Sequence, residues 1–331
     1  MFIIDHYSTA IFFCLITMLC WGSWANTQKL AATSWRFELF YWDYVIGIFV
    51  MSLAFAFTMG SYGAGGRGFV ADLSQADTHN ILSAILGGII FNAANILLVA
   101  AIAIAGMAVA FPVGIGLALV IGVVVNYIAD PVGNQVLLFG GVALVVGAIL
   151  LNARAYRKLQ SARATVSEKG LGLAIVAGIL MGFFYKYVAA SMFPDFTVPL
   201  PGKLSPYTAV TCFSAGIVAS NLLFNTLLMK RPFAGTALKP ADYFGGSVTN
   251  HLMGLLGGAV WCIGMSFNII ASGKAGPAIS YGLGQGATVV AAIWGIFIWK
   301  EFRHAPKGTQ TTLNIMLLLY VMGLALVIAA R

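Results

Sequence analysis

Long apolar stretches separated by short polar segments make up almost the whole sequence. A transmembrane helix needs about 20 predominantly apolar residues, and ten such stretches can be marked here. Glycine and proline occur within several of them, as is usual for membrane helices. The pattern therefore predicts an all-α membrane protein with ten transmembrane helices. The predicted spans are residues 7–28, 38–60, 79–104, 107–129, 134–153, 170–192, 205–229, 247–272, 276–299 and 311–330.

Composition supports this class. Of the 331 residues, 60% are hydrophobic and only 8% are charged, whereas a soluble domain carries roughly 25% charged residues. Most side chains must therefore face the lipid bilayer or other helices. The sequence has no basic stripe with interleaved aromatic residues, so we expect no binding to nucleic acid. The four cysteines lie in apolar runs without a CxxC motif, and we interpret them as small buried hydrophobic residues.

The basic residues predict an orientation. Loops on one side of the predicted membrane hold 13 of the 18 Lys and Arg residues, and such loops usually face the cytoplasm. Both termini would then lie on the outer, periplasmic side of a bacterial inner membrane. No basic leader precedes the first span, which we therefore expect to be uncleaved. The 13 are Lys29, Arg36, Arg154, Arg157, Lys158, Arg163, Lys169, Lys230, Arg231, Lys239, Lys300, Arg303 and Lys307.

An internal repeat relates the two halves of the chain. Residues 79–116 and 249–286 align without a gap at a separation of 170 positions, with shared glycines, alanines and one asparagine. Five spans per half is an odd number, so the second half is predicted to be inverted in the membrane. The predicted units are a first five-helix repeat (1–153), a cytoplasmic linker (154–169) and a second repeat (170–331). This arrangement is typical of secondary transporters, in which the site lies between the repeats.

Ten spans in two inverted halves resemble the drug/metabolite transporter superfamily. The resemblance is carried by the fourth and ninth spans, at residues 105–112 and 276–286. The ninth span ends in the Trp-Lys-Glu-Phe run at 299–302. The runs at 20–24 and 281–286 are more similar to the sugar-uptake branch, which holds the glucose/ribose porters and the rhamnose–proton symporters, with the plant ureide permeases nearby. The resemblance covers the whole chain and implies alternating-access transport of a small polar solute, coupled to protons.

Two titratable residues inside spans are candidates for proton coupling. A charge within the hydrocarbon costs at least ~2.5 kcal/mol on insertion scales, so it usually has a function or a partner. Asp43 lies inside the second span and is our first candidate; alternatively, it pairs with Lys29 or Arg36 at the membrane interface. His251, one turn into the eighth span, is the second candidate as a proton relay. Its alternative role is that of a hydrogen-bonded packing residue.

Amides at mid-depth are candidates for contacts with a hydrogen-bonding solute. Asn92 and Asn95 are three residues apart on the third span and therefore share a helix face. Gln285 lies in the ninth span between two glycines, which allow a ligand to approach the backbone closely. Hydrogen bonding between helices is the alternative role for each of these amides.

Further candidates lie closer to the ends of the spans. Trp21 and Trp24 are three residues apart and would form a stacking wall, or else part of an aromatic belt at the interface. Asn26 and Lys186 occupy matched positions in the two halves, and we predict that both contact the solute. Lys186 would alternatively extend to the membrane boundary or pair with Asp195.

Prolines and glycines in the fourth and ninth spans are predicted hinge or kink points. Close helix packing is a second interpretation, and the two are compatible. The predicted hinge residues are Pro112, Pro277, Gly282 and Gly284.

The sequence contains no nucleotide-binding, metal-binding or hydrolase motif, so we expect no cofactor, no metal and no enzymatic activity. The leading prediction is a secondary active transporter that imports a monosaccharide with protons. A ureide or nucleobase permease is the first alternative, and a drug or metabolite exporter is the second. A membrane-embedded enzyme is least favoured, because Asp43 alone among the acidic residues is deep enough. The sequence leaves a homodimer open.

Overall fold

The computed structural model describes residues 1–32, 34–105, 107–159, 167–233 and 235–331. Within these residues, ten helical spans are long and apolar enough to cross a membrane, which confirms the predicted all-α class and the number of spans. The helices are α1 (Tyr7–Ser23), α2 (Ala25–Leu30), α3 (Phe37–Phe57), α4 (Phe69–Gln75), α5 (Thr78–Ala105), α6 (Met107–Ala129), α7 (Gln135–Leu159), α8 (Glu168–Ser191), α9 (Pro206–Lys230), α10 (Pro240–Phe244), α11 (Val248–Ala275), α12 (Pro277–Gln285), α13 (Ala287–Ile293) and α14 (Thr309–Ala329).

The first and ninth spans are interrupted, whereas each of the other spans is a single helix. Trp24 separates α1 from α2, and Gly286 separates α12 from α13. At Gly286 the backbone N–H bonds to the carbonyl of Leu283 at 2.9 Å, which is a tighter turn than that of an α-helix. A π-helical segment, Trp294–Ile298, follows α13. The interrupted spans are neighbours, because α1 packs against both α12 and α13.

Helices extend into both ends of the predicted linker, residues 154–169. Helix α7 continues through Leu159 and so extends into the predicted linker. Arg157 and Lys158 occupy its last turn, where positive charge is favourable at a helix C-terminus. Helix α8 begins after Ser167, whose hydroxyl caps the N–H of Gly170 at 3.3 Å. The rest of the predicted linker, including Arg163, lies outside the described residues.

Glycines allow the central helices to pack closely. Helix α5 packs on α8 and α9, and α11 packs on α1 and α3. A Cβ atom at Gly88 of α5 would collide with the backbone carbonyl of Phe213 on α9. A Cβ atom at Gly258 of α11 would collide in the same way with the carbonyl of Tyr44 on α3. Gly88 and Gly258 are therefore matched in sequence and also in the contacts that they make.

Hydrogen bonds connect the segment before α5 with the loop before α9, at the end of the bundle that holds the chain termini. Arg67, in the loop before α4, pairs with fully buried Asp72 at 3.0 Å. The same carboxylate accepts a hydrogen bond from the backbone N–H of Ser205 at 2.7 Å. Asn80 of α5 donates to the carbonyl of Gly202 at 2.8 Å. These contacts join the loop before α5 to the loop before α9.

Candidate functional site

A cavity of about 240 Å³ lies between the first, third, fourth, fifth, sixth, eighth and ninth spans. Its deep end is lined by Trp261 and Gln285. Its mouth is lined by Lys29, Tyr156 and Glu301, which lie at the end of the bundle where most Lys and Arg residues are found. Both interrupted spans border this cavity. Discontinuous helices at a site between two halves are a recurring feature of secondary transporters.

Aromatic rings form the deep wall of the cavity. Trp261 lies with its ring centroid 4.4 Å from that of Phe91 and 5.8 Å from that of Trp21, to which it is nearly parallel. Phe184 packs edge-on against Phe91 at 5.2 Å, and Trp24 adds a further ring to the lining. Phe91, Phe184 and Trp261 are almost fully buried against one another, whereas Trp21 and Trp24 are half-buried and present apolar ring surface to the cavity.

Several polar groups of the wall lack a partner within the described part of the chain. Gln285 lines the cavity with a side-chain amide that makes no hydrogen bond. The Asn95 carbonyl and the Trp261 indole N–H are likewise unpaired, and neither is sealed from the cavity. Asn152 also lines the cavity, and its buried carbonyl oxygen has no donor. Buried polar groups in proteins are normally hydrogen-bonded, so Gln285, Asn95 and Trp261 have hydrogen-bonding groups available to a polar ligand in the cavity.

Charge is confined to the mouth of the cavity. The charged side chains in the described lining are Lys29 and Glu301, which pair at 3.0 Å. Tyr156 donates to the same carboxylate at 2.6 Å, and the Lys29 ammonium also lies 4.8 Å from the ring centroid of Trp299. The deeper wall therefore has hydrogen-bonding groups and aromatic rings without net charge, which suits a neutral solute.

The two predicted asparagines of α5 have different environments. Asn95 reaches the cavity, whereas Asn92 is fully buried behind it. Asn92 accepts a hydrogen bond from Tyr41 at 2.9 Å and donates to Ser220 at 2.9 Å. Asn92 therefore does not reach the cavity directly, and its predicted contact with the solute is not seen in this structure.

The two candidates for proton coupling meet in space. Nδ1 of His251 on α11 lies 2.9 Å from a carboxylate oxygen of Asp43 on α3, and Asp43 is only 3% exposed. The Tyr243 hydroxyl donates to the other carboxylate oxygen. Burial and the Asp43 carboxylate raise the pKa of Tyr243 well above its usual value, so its phenol remains a donor at neutral pH. We call Asp43, His251 and Tyr243 the carboxylate cluster; these residues do not line the cavity.

The alternative partners proposed for Asp43 bind other carboxylates. Lys29 pairs with Glu301 at the mouth of the cavity, and Arg36 pairs with Glu38 at the start of α3. Asp43 is instead held by residues from α10 and α11.

The remaining predicted contact residues differ in how they meet the cavity. Trp21 lines the cavity and donates from its indole N–H to the carbonyl of Trp261 at 3.2 Å. Asn26 also lines it, but its amide bonds to the Trp299 indole at 2.7 Å and to the Ser23 carbonyl at 3.0 Å. Lys186 is exposed on α8 and is absent from the described cavity lining.

The predicted hinge residues lie at or near the interrupted helices. Pro112 is inside α6 and lines the cavity, and Pro277 begins α12. Gly282 and Gly284 lie within α12, before the interruption at Gly286. A Cβ atom at Gly284 would come within 2.8 Å of the Trp21 ring and of the Asn268 amide. Gly284 thus has the close-packing role that we considered, and its role as a hinge stays a prediction.

A layer of buried tyrosines separates the cavity from the opposite end of the bundle. The Tyr281 hydroxyl of α12 lies 3.1 Å from the carbonyls of both Ala118 on α6 and Met181 on α8. Tyr185 of α8 donates to the carbonyl of Asn268 on α11 at 3.4 Å. Both side chains are fully buried, and each lies farther from the mouth than the cavity-lining residues of its own helix.

Sequence reasoning missed several lining residues. Trp261, Phe184 and Asn152 lie among apolar neighbours, and no periodicity singles them out. Phe91 had a signal, because it lies one turn from Asn95 on the same face of α5. Tyr243 lies in the short helix α10, outside the spans in which candidates for proton coupling were sought.

Comparisons with known proteins identify the family. A sequence model described as ureide permease matches residues 40–169 and 157–330. Ureide permease 1 of Arabidopsis thaliana is 22% identical over 386 residues, covering 100% of this chain and 99% of the relative. Ureide permease 4 of the same plant is 22% identical over 397 residues, with the same coverage.

A solved crystal structure matches with a TM-score of 0.60 and 18% identity and covers 98% of this chain and 99% of that one, so the two chains share a fold. The resemblance to a transporter family is confirmed through the ureide permeases, whereas the sugar-uptake branch gains no support. The chain belongs to the ureide permease family of membrane transporters.

Proposed function

We propose that this protein is a permease that moves a small, neutral, amide-bearing solute of the ureide class across the membrane by alternating access. The observation that carries this proposal is the deep cavity wall, where the Gln285 amide and the Asn95 carbonyl are unpaired beside flat aromatic rings. A ureide offers both N–H donors and carbonyl acceptors on a flat frame. The Gln285 side chain can donate and accept, and the half-buried rings of Trp21 and Trp24 line the cavity as stacking surfaces.

The family favours a ureide over the monosaccharide of our leading sequence prediction. A sugar would also find hydrogen-bond partners in this cavity, so the cavity alone does not separate the two solutes. The relatives that align over the full length of the chain are named ureide permeases, and these names support the ureide alternative.

We infer that the two halves are inverted repeats that exchange the open side of the cavity. The matched contacts of Gly88 and Gly258 support this inference. A reciprocal contact between α7 and α14 also supports it. A Cβ atom at Gly141 would lie 2.6 Å from the Gly323 carbonyl oxygen, and a Cβ atom at Gly323 would lie 2.8 Å from the Gly141 carbonyl oxygen. With the basic loops in the cytoplasm, the cavity is open to the inside and the tyrosine layer closes the outside.

We further propose that the carboxylate cluster couples transport to protons. Asp43 is a buried carboxylate, and His251 is of the residue type that changes charge near neutral pH. The cluster joins α3 to α11, and these helices belong to different proposed repeats. Protonation of Asp43 would remove the negative charge that holds His251 and Tyr243, and would thereby weaken one connection between the repeats.

Ligand-dependent thermal stability tests the proposed solute class. A ligand that binds the folded state alone raises the unfolding temperature with concentration. We expect allantoin and hydantoin, a simple cyclic ureide, to stabilise the purified chain, and glucose and cationic dyes not to. Gln285→Leu should abolish this stabilisation, whereas Gln310→Leu, on an exposed part of α14, should retain it. Stabilisation by glucose alone would restore the monosaccharide hypothesis, and a response to dyes alone would favour an exporter.

Uptake into proteoliposomes tests the coupling. We expect an inward proton gradient to accelerate uptake by the wild type. Asp43→Asn should lose this acceleration but retain exchange of solute at equal pH. The matched control is Asp242→Asn, which changes an exposed carboxylate of α10 outside the cluster. Gradient-driven uptake that persists in Asp43→Asn would exclude Asp43 from coupling.

A further inference from the structure

Four buried polar side chains form a continuous chain of hydrogen bonds that ends at the cavity. The Ser220 hydroxyl on α9 donates to the carbonyl of Gly216 at 2.8 Å. Asn92 donates to the Ser220 oxygen at 2.9 Å, and Tyr41 donates to the Asn92 carbonyl at 2.9 Å. Asn95 then donates to the Tyr41 oxygen at 3.0 Å. We call these four side chains the amide chain.

The direction of the amide chain is set at its far end. The backbone carbonyls of Gly216 and Ile217 lie 2.8 and 3.1 Å from the Ser220 hydroxyl and can only accept, so its single hydrogen is committed to them. Ser220 must then accept from the Asn92 amide nitrogen, which also donates to the Ile217 carbonyl at 3.4 Å. This leaves the Asn92 carbonyl to receive the Tyr41 hydroxyl. Because Tyr41 has no second hydrogen, it can only accept from Asn95. Reversing all the bonds would give up the contact between Ser220 and Gly216.

Burial enforces this direction. Tyr41 and Asn92 are fully buried, Asn95 is 6% exposed and Ser220 is 9% exposed, so little water is available to replace a lost bond. If the Asn95 amide turned over, its carbonyl oxygen would face the Tyr41 oxygen. The Tyr41 hydrogen could not bridge them, because it is donated to the Asn92 carbonyl. A buried polar network of this kind is costly when it is incompletely paired. The Asn95 nitrogen therefore stays on Tyr41, and its carbonyl stays on the cavity side.

We propose that the amide chain makes Asn95 a fixed hydrogen-bond acceptor, and that the solute must present an N–H or O–H donor at this position. Tyr41, Asn92 and Ser220 are positioning residues that act through Asn95. The inference rests on the proposed function, because it concerns selectivity at the same site.

A fixed donor complements the fixed acceptor. The Trp261 indole N–H can only donate, and within the described residues it is unpaired. Phe91 and Trp21 pack against its ring at 4.4 and 5.8 Å, which restricts the direction of this N–H. Together, Asn95 and Trp261 require a solute that has both a donor and an acceptor, as an amide edge does. The Gln285 amide can adapt to either.

The test compares hydantoin with 1,3-dimethylhydantoin, which keeps both carbonyls but has no N–H donor. Dissociation constants are measured by calorimetry on the purified full chain. For the wild type we expect the dimethyl compound to bind at least about 10-fold more weakly, because it leaves the Asn95 carbonyl unpaired. Tyr41→Phe frees the Asn95 amide to turn and donate to a ligand carbonyl. The ratio of the two constants should then fall by about 5-fold.

Tyr44→Phe is a matched control. Tyr44 lies one turn from Tyr41 on α3, is equally buried, and has a hydroxyl without a hydrogen-bond partner in the described residues. This variant should keep the wild-type ratio. Methyl groups add the same bulk in every variant, so a change in the ratio reports the direction of the Asn95 amide and not steric exclusion.

Ser220→Ala provides a second route to the same result. It removes the hydroxyl at the end of the amide chain farthest from the cavity, while the Asn92 nitrogen keeps the Ile217 carbonyl at 3.4 Å. It should therefore lower the ratio in the same direction as Tyr41→Phe, but by less. A wild-type ratio in both variants, with hydantoin still bound, would overturn the inference and leave the proposed function intact. Failure of the wild type to bind hydantoin at all would instead contradict the proposed solute class, and the inference with it.

Discussion

The close approach of α5 to α9 predicts a large effect from one added methyl group. In Gly88→Ala the new Cβ would lie 2.0 Å from the Phe213 carbonyl oxygen. The obstacle is helix backbone and not the end of a flexible side chain, so the two helices must move apart. Gly258→Ala creates the matching collision of α11 with the Tyr44 carbonyl on α3.

The magnitude follows from two opposing effects. Replacing glycine by alanine inside a helix contributes about 1 kcal/mol of stability. Overpacking a close contact costs about 1–3 kcal/mol and sometimes more, and a backbone obstacle places Gly88→Ala at the upper end of that range. We therefore expect Gly88→Ala and Gly258→Ala each to lose about 2 kcal/mol, which corresponds to a fall of about 4 °C in unfolding temperature.

Thermal unfolding in detergent, followed by intrinsic tryptophan fluorescence, measures this difference. Gly172→Ala is the control, because a Cβ at this position of α8 would meet no heavy atom within 4 Å. It should be neutral or slightly stabilising. Unfolding temperatures for Gly88→Ala and Gly258→Ala that match the control would refute the close approach. A loss in only one of them would argue against equivalent roles in the two halves.

Three further changes test other parts of the structure. Arg67→Met leaves the buried Asp72 carboxylate without its ion pair and should lower the free energy of unfolding by about 3 kcal/mol. The unfolding temperature should fall clearly, and an unchanged unfolding temperature would show that the ion pair is dispensable. Glu301→Gln removes a half-exposed ion pair at the cavity mouth and should change stability by less than about 1 kcal/mol. The affinity for hydantoin should change by less than about 2-fold, and a larger loss of affinity in calorimetry would place the solute at the mouth. Tyr281→Phe removes hydrogen bonds of the tyrosine layer that are worth about 1 kcal/mol, and it should raise the outward-open population about 5-fold. Distances between spin labels measure this population, and an unaltered distance distribution would exclude a gating role for the Tyr281 hydroxyl.

The class of the protein and its helical spans are predictable from the sequence because apolar length is a local property. A stretch of about 20 apolar residues specifies a membrane helix wherever it occurs, and the ten predicted spans agree with the structure to within a few residues at most ends. The interruption of the ninth span at Gly286 is less predictable. Glycines occur throughout this span, and packing against α1 and α11 decides which of them becomes the break.

The site was predictable only in part. Gln285 and Asn95 stand out because an amide in the middle of an apolar span is uncommon, and both line the cavity. Lys186 stood out for a similar reason but faces away from the cavity. The rotation of each helix about its axis separates these cases, and packing with neighbouring helices sets that rotation.

The sequence by itself determined which chemical groups lie within the membrane and at what approximate depth, because depth follows from position along a helix. The tertiary structure alone decided which groups meet. Asp43 and His251 are 208 residues apart and become partners only because α3 packs on α11. In the same way, the direction of the Asn95 amide depends on Tyr41 and Ser220 from two other helices, and a hydrogen bond between helices requires a geometry that no single segment contains.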